Sequence, residues 1–351
     1  MGYGRYLAFR IVNAIIVLII VTFLISALFV KASEQSAEGK VIEELMMWEK
    51  TEGSNIKKSQ GIEAFEAAKE AKIIELRKKY ELDKPYLQRV VSKSLRTLKI
   101  DFGKTSMPIF GTNQVSDIIK QALPRTILLF TSGTIIVIII GLLLGVKAAQ
   151  MAGSAFDRGL SIFALLTYSL PMWWTGMLML LIFGFELRWF PLSSLPDPNL
   201  TGFAHIKDLA WRLALPVMTY VLVAFGGWAW TTRNIMIGTL QEDFIMAARA
   251  KGVPENKVIY GHALRAAAPP IVTMTIFSLL FSMGGAIITE SVFNWPGMGR
   301  LYWTALQQEE TNLLIGITYF FTVLFLAAVI LADMAYGFLD PRVKVGKSSK
   351  M

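Results

Sequence analysis

Six long runs of this chain contain no Asp, Glu, Lys or Arg, and they limit its possible folds more than any other feature. The runs are 20 to 27 residues long and lie at 11–30, 126–146, 159–185, 213–232, 266–289 and 311–332. About 20 apolar residues, each rising 1.5 Å along a helix, cross the roughly 30 Å hydrocarbon core of a bilayer. Lipid offers no partner to backbone amides, so such spans must be helical. We therefore expect an all-α integral membrane protein with six transmembrane helices.

Composition supports this class and bears on possible partners. Hydrophobic residues make up 54% of the 351 residues and charged residues only 17%, whereas soluble chains carry about 25% charge. The formal net charge is +9. In a membrane protein such an excess usually marks the cytoplasmic loops and contacts anionic headgroups. We therefore expect membrane lipid, and no nucleic acid, as the partner of these basic residues.

The distribution of Lys and Arg predicts the orientation in the membrane. The loops and ends on one side (1–10, 147–158, 233–265 and 336–351) hold 13 basic residues, whereas the opposite short loops hold Arg188, Lys207 and Arg300. Short cytoplasmic loops are the basic ones. Both termini are therefore expected in the cytoplasm of a multi-pass protein of a prokaryotic cell membrane.

This orientation divides the chain into four segments. Residues 1–30 are a cytoplasmic N-terminus and a first span, which we expect to be retained because its 20 apolar residues exceed the core of a signal peptide. Residues 31–121 are expected outside as a mostly helical segment. Residues 122–335 form a core of five spans with a cytoplasmic loop at 233–265, and 336–351 form a cytoplasmic tail.

The chain lacks the residue sets of catalysis and ion coupling. It has no cysteine and two histidines, His205 and His262, in different loops. Its Gly346-Lys347-Ser348 lacks the earlier glycine of a phosphate-binding loop. The charged Glu186, Glu290 and Asp333 lie at run ends, whereas ion-coupled carriers place such groups near the midplane. We therefore expect a non-enzymatic protein without bound cofactor, metal or catalytic residue. Transport as a secondary carrier or channel that needs no ATPase is a less favoured function for this chain.

The loop 233–265 has the pattern of two short helices. Leu240, Phe244, Ala247 and Ala248 recur at helical spacing, and Gly252 follows as a helix-ending residue. Pro254 suits the first turn of a second helix, whose one side would carry Val258, Ile259 and His262. Small residues here allow another protein's backbone to approach closely. On this pattern alone, two interpretations are equally good. The segment is either a surface that contacts another protein or a surface helix packed against the spans.

Several motifs resemble one transporter family. Met246–Gly252, followed by His262–Arg265 and Pro269-Pro270, resembles the cytoplasmic signature of binding-protein-dependent ABC importer permeases. The motifs that narrow the resemblance to the dipeptide/oligopeptide family are Leu82–Pro85, Asp101–Gly103, Ser169–Gly176, Leu187–Leu192, Glu290–Arg300 and Leu339–Arg342. Two features depart from the family pattern: Met246 stands where the general signature has Glu, and residues 31–75 look like an insertion.

The resemblance implies the type I ABC importer permease fold. It also implies a transporter built from several subunits with different roles. A homologous second permease, one or two cytoplasmic ATPases holding ATP and Mg²⁺, and an extracytoplasmic substrate-binding protein would complete the transporter. This chain would form the path for di- or oligopeptides; oligosaccharides or chelated nickel are the alternative cargoes. The loop would be the coupling helix seated on an ATPase. Its expected contact residues are Phe244, Ala247, Ala248, Ala250, Gly252, Val253, Pro254 and Val258.

Overall fold

The structure is a computed structural model that describes residues 3–197 and 199–339, and these are mostly helical. The helices are α1 (Tyr3–Ala32), α2 (Glu34–Trp48), α3 (Ser54–Gln60), α4 (Ile62–Lys79), α5 (Tyr86–Leu98), α6 (Val115–Thr126), α7 (Ser132–Gln150), α8 (Ala155–Ser169), α9 (Met172–Met179), α10 (Gly202–Leu240), α11 (Asp243–Ala250), α12 (Leu264–Ser282), α13 (Ile287–Val292), α14 (Met298–Gln307) and α15 (Thr311–Leu339). Four π-helical segments adjoin them: Glu49–Gly53, Ile127–Thr131, Leu180–Glu186 and Lys257–Ala263.

The chain divides into two compact units. The first comprises Ile119–Trp303 with the described residues up to Ala14 and from Val323. The second comprises Ile15–Ile118 and Thr304–Thr322. Each unit therefore combines segments that are distant in sequence.

In the described part of the chain, five continuous helices are long and apolar enough to cross a membrane. They are Gly4–Ala32, Val115–Gln150, Gly202–Leu240, Lys257–Ser282 and Thr311–Ala335. A sixth candidate is the pair Ala155–Ser169 and Met172–Glu186. Each of the six apolar runs thus contributes to a candidate span, which agrees with the predicted all-α membrane fold.

The third run, 159–185, is two helices rather than one continuous helix. Its two helices meet at 95°. The break falls at Leu170 and Pro171, both in extended conformation. Proline removes a helical hydrogen bond and forces the preceding residue out of the helical region. Pro171 therefore ends one helix and begins another.

The fifth run also differs from its predicted bounds of 266–289. Helical structure begins before Lys257 and ends at Ser282. Residues 283–286 form a turn, and α13 is a separate short helix. At the C-terminal end, α15 continues to Leu339, and its candidate span ends at Ala335. The tail beyond it, with the Asp340–Arg342 part of the last motif, lies outside the described residues.

The predicted helical character of residues 31–121 is confirmed over α2 to α5, and Pro85 immediately precedes α5. Trp48 stacks on Phe65 at a ring distance of 6.2 Å. The sequence did not predict the antiparallel hairpin of β1 (Lys104–Ile109) and β2 (Thr112–Gln114). Its two turn residues, Phe110 and Gly111, both have positive φ, at 54° and 78°, as tight hairpin turns require.

Helices α7 and α10 form the most extensive helix pair of the first unit. Two glycines one turn apart on α7 permit their close approach. A Cβ added at Gly141 would lie 2.6 Å from Trp228 Cβ, and one added at Gly145 would lie 2.6 Å from Thr232 Cβ. Small residues at this four-residue spacing let membrane helices pack closely. The contact fixes α10, whose last turn leads into α11.

Candidate functional site

A short segment with exposed residues connects α10 to the next span, and we call it the α11 loop (residues 241–256). It is shorter than the predicted loop 233–265. Residues 233–240 continue α10, and residues 257–265 already belong to the next membrane helix. The second helix predicted to begin at Pro254 is therefore the first turn of a span, and its packing is that of the span.

A buried cluster anchors the α11 loop. Ile245 of α11 is fully buried, and it shares this cluster with Met236 of α10 and with Val258 and Ile259 at the start of the next span. Val146 of α7 completes the contact. Burial of one such side chain contributes about 2 kcal/mol. Three helices therefore hold α11 in a fixed position.

The end of α11 is closed by backbone hydrogen bonds around Gly252. The Val253 N–H donates to Ala248 O at 3.2 Å, and the Gly252 N–H donates to Arg249 O at 2.9 Å. Gly252 has φ of +74°. These two bonds and the left-handed residue form a Schellman cap. The predicted helix-ending role of Gly252 is thereby confirmed.

An ion pair links the end of α11 to the next helical turn. Arg249 Nη2 lies 2.7 Å from Glu255 Oε1, and Arg249 Nε donates to Oε2 at 3.1 Å. The hydrogen bond from Arg249 lowers the pKa of the Glu255 carboxyl. Both side chains are about half exposed, so solvent screens the pair and it orients the turn more than it stabilises it.

The structure separates the predicted contact residues into three groups. Phe244, Ala247, Ala250, Gly252 and Pro254 are exposed. Ala248 and Val253 are half-buried and pack against the anchoring cluster.

Val258 differs from the prediction that it contacts the ATPase. Its side chain is fully buried in the cluster that anchors the α11 loop, so it is not part of the exposed surface. Its helix belongs to the span, whose packing hides that side.

The sequence pattern missed Ile245 and Met246. The predicted stripe starts at Leu240, but Leu240 belongs to α10, and Gln241 and Glu242 interrupt the helix. The helical phase restarts at Asp243, so Ile245 points inward and Phe244 outward. Phe244 is 48% exposed and Met246 60%. Recognising the turn at 241–242 would have given the correct phase.

A buried ion pair holds the neighbouring turn between α7 and α8. Asp157 is 2% exposed. Its Oδ2 accepts hydrogen bonds from Arg233 Nη2 at 2.7 Å and from the Gly153 N–H at 2.9 Å. Since Arg233 lies two turns before the α11 loop, this pair fixes the end of α10 from a second side.

The Glu290–Arg300 motif folds around its own first residue. Glu290 is fully buried. Its Oε1 accepts a hydrogen bond from Thr126 Oγ1 at 2.9 Å, and its Oε2 accepts one from the Arg300 N–H at 2.8 Å. Thr126 in turn accepts from the Met298 N–H at 2.7 Å. Burial raises the pKa of Glu290 to about 7.

The other motifs have structural positions. Ser169–Gly176 contains the 95° break between α8 and α9. Asp333, which the sequence places at a run end, pairs with Arg10 at 3.0 Å. Within residues 3–197 and 199–339, no group of three or more His, Asp or Glu side chains is arranged to hold a metal ion.

This chain matches a known protein family and several named relatives. The family model of binding-protein-dependent transport system inner membrane components matches residues 138–345. The oligopeptide transport system permease protein AppB of Bacillus subtilis is 32% identical over 268 residues, which cover 76% of this chain and 83% of AppB.

Two further relatives carry the name YejB. The peptidoglycan transport system permease protein of Agrobacterium fabrum is 31% identical over 279 residues, 77% of this chain and 75% of the relative. The inner membrane ABC transporter permease protein of Escherichia coli O157:H7 is 29% identical over the same shares. The family match covers more than half of the chain, and so the chain belongs to the binding-protein-dependent transport system inner membrane components, the permease subunits of ABC transporters.

Proposed function

We propose that this chain is a permease subunit of an ATP-driven importer of di- and oligopeptides. The observation that carries the proposal is the α11 loop, whose exposed apolar side chains project from a firmly anchored base. Relatives over three quarters of the chain are named as oligopeptide or peptidoglycan permeases. These names favour peptide cargo over the oligosaccharide and nickel alternatives.

The partners follow from the family. A binding-protein-dependent system includes an ATPase and a substrate-binding protein. We propose in addition a homologous second permease and one or two ATPase subunits that hold ATP and Mg²⁺, while this chain binds no cofactor and catalyses nothing. In this scheme the chain spans the cell membrane of a prokaryote. The termini and the α11 loop lie on the cytoplasmic side, and residues 31–121 lie on the outer side.

In this mechanism, the α11 loop transmits movement of the ATPase to the membrane helices. Phe244, Ala247 and Ala250 contact the ATPase, and closure of the ATPase dimer displaces the loop. Since Ile245 and Val258 tie the loop to α10 and to the following span, the displacement reaches the membrane helices. ATP thereby shifts the population between inward-facing and outward-facing states through contacts that differ between them.

Reconstitution tests the function. The complete transporter in proteoliposomes, with its binding protein and internal ATP, is expected to accumulate a labelled tripeptide. Without ATP, or without the ATPase, uptake should fall to background. Tripeptide transport by this chain alone without ATP, or accumulation of oligosaccharide but not of peptide, would overturn the proposal.

The substitution Gly252→Asp tests the coupling role. Gly252 is exposed, and a Cβ there meets no atom within 4 Å, so Asp fits sterically. Aspartate and asparagine tolerate left-handed backbone better than other residues with a side chain. We expect uptake to fall at least tenfold while ATP hydrolysis continues, because a charge enters the apolar contact. The matched control Gly252→Asn should retain most of the uptake; equal, wild-type uptake by both variants contradicts the coupling role.

A further inference from the structure

The second unit contains a polar cleft of about 1010 Å³. Its walls come from the ends of α1 and α4, from α2, α5 and β1, and from the residues around the start of α15. Ligand pockets for small molecules have volumes of about 300–1,000 Å³. The cleft is therefore large enough for a short peptide.

Most charges on the cleft walls neutralise one another. Lys79 Nζ lies 2.7 Å from Glu44 Oε1, and Arg89 Nη2 lies 2.8 Å from Glu34 Oε1. Arg96 Nε lies 3.0 Å from Asp101 Oδ2. These pairs leave a few charged groups whose partners are neutral or absent among the described residues.

Lys93 is the first of these groups. Its ammonium donates to Asn312 Oδ1 and, at 3.5 Å, to Phe102 O. Both acceptors are neutral, and no carboxylate of the described residues forms an ion pair with Lys93. Burial, with Arg96 nearby, lowers the pKa of Lys93 to about 8. A partly buried ammonium with neutral partners is favourably placed to receive an anion.

Arg89 is a neighbouring cation, whose ion pair with Glu34 uses one of its terminal nitrogens. It precedes Lys93 by four residues on α5, so both lie on the same helix face. The residue is only 8% exposed. Its buried Nε has no hydrogen-bond partner among residues 3–197 and 199–339. Arg89 lines the cleft, so its positive charge lies close to a carboxylate bound at Lys93.

We propose that this cleft binds a short peptide with free termini, and that Lys93 and Arg89 receive its C-terminal carboxylate. The exposed carboxylates of Glu43 and Glu309 line the same cleft. Neither forms an ion pair among the described residues, and they offer a counter-charge for the peptide's amino group. The inference rests on the proposed peptide-import function and adds to it a recognition site within the permease chain itself.

A comparison of two ligands tests the site on the unaltered protein. The full chain in lipid nanodiscs is titrated calorimetrically with trialanine and with trialanine amide. A hydrogen bond to a charged group accounts for roughly a tenfold to hundredfold change in affinity. We expect the amide to bind at least tenfold more weakly. Equal affinity of the two ligands, or no binding of trialanine, overturns the proposal.

Variants of Lys93 locate the effect. Lys93→Met is expected to weaken trialanine binding at least tenfold and to abolish the preference over the amide. Lys93→Arg keeps the charge and should bind within a few-fold of wild type. The control Lys58→Met removes an exposed lysine that does not line the cleft and should change nothing. Unaltered carboxylate preference in Lys93→Met contradicts the assignment.

The outcome is separable from that of the import function. Trialanine uptake by the complete transporter is measured in parallel. Uptake without carboxylate-dependent binding to the permease refutes the cleft and leaves the import function intact. Carboxylate-dependent binding without uptake supports the cleft and refutes peptide import.

Discussion

At the scale of single residues, the buried Glu290 carboxyl has the most consequential environment. Burial favours its neutral form, while hydrogen bonds from Thr126 and from the Arg300 N–H favour the ionised form. The net effect raises its pKa from 4.5 to about 7. Folding therefore gains stability from this group below pH 4.5, and the gain disappears as the pH rises to 7. The total change is roughly 3 kcal/mol.

The substitution Glu290→Gln tests this pH dependence. The glutamine amide can replace the protonated carboxyl by donating to Thr126 Oγ1 and accepting from the Arg300 N–H. We expect the variant to lose less stability than wild type when the pH rises from 4.5 to 7, as measured by reversible unfolding in mixed micelles. The control Glu242→Gln changes an exposed carboxylate and should follow the wild-type profile. Parallel profiles for wild type and Glu290→Gln would refute the buried-acid account.

At the scale of helices, the contact between α7 and α10 depends on the absence of side chains at Gly141 and Gly145. A leucine at 145 would overlap Thr232, which is fully buried. Overpacking of this kind costs about 1–3 kcal/mol. Gly145→Leu should therefore lower the apparent melting temperature of the purified protein in detergent. Gly159 of α8 has no atom within 4 Å of an added Cβ, so Gly159→Leu should melt close to wild type.

The helices also show how far the sequence predicts this fold. Charge-free runs identify the spans because lipid excludes charge, and each run does contribute to a candidate span. Helix ends inside such runs follow backbone chemistry that hydropathy does not measure. The 95° break at Pro171 and the turn after Ser282 therefore could not be placed from apolar length alone.

The candidate site was predicted only in part, because apolar spacing does not show where helices end or how they pack. Gly252 was identified because a glycine after an amphipathic segment ends helices, and it caps α11 as expected. The predicted contact residues Phe244 and Ala247 are exposed on α11, whereas the burial of Ile245 was missed, because the turn at Gln241 and Glu242 resets the helical phase. The burial of Val258 depends on packing among α7, α10 and α11, which sequence spacing alone does not show.

At the scale of the whole molecule, the distribution of basic residues predicts one orientation. The chain has no cysteine, so a single introduced cysteine reports on one position. Ser59 and Ala247 are both exposed. In intact cells, a membrane-impermeant maleimide should label Ser59→Cys directly and Ala247→Cys only after permeabilisation. The reverse pattern would invert the orientation and place the α11 loop away from cytoplasmic ATP.

The central claim is that the α11 loop contacts the ATPase. It is tested most directly by attaching a photo-reactive benzophenone maleimide to Ala247→Cys or Ala250→Cys in the assembled, active transporter. We expect illumination to join the permease to the ATPase at both positions, with a yield that changes on adding ATP. Ser59→Cys should give no such product. Absence of the permease–ATPase product at both 247 and 250, in a transporter that still imports peptide, would contradict the account.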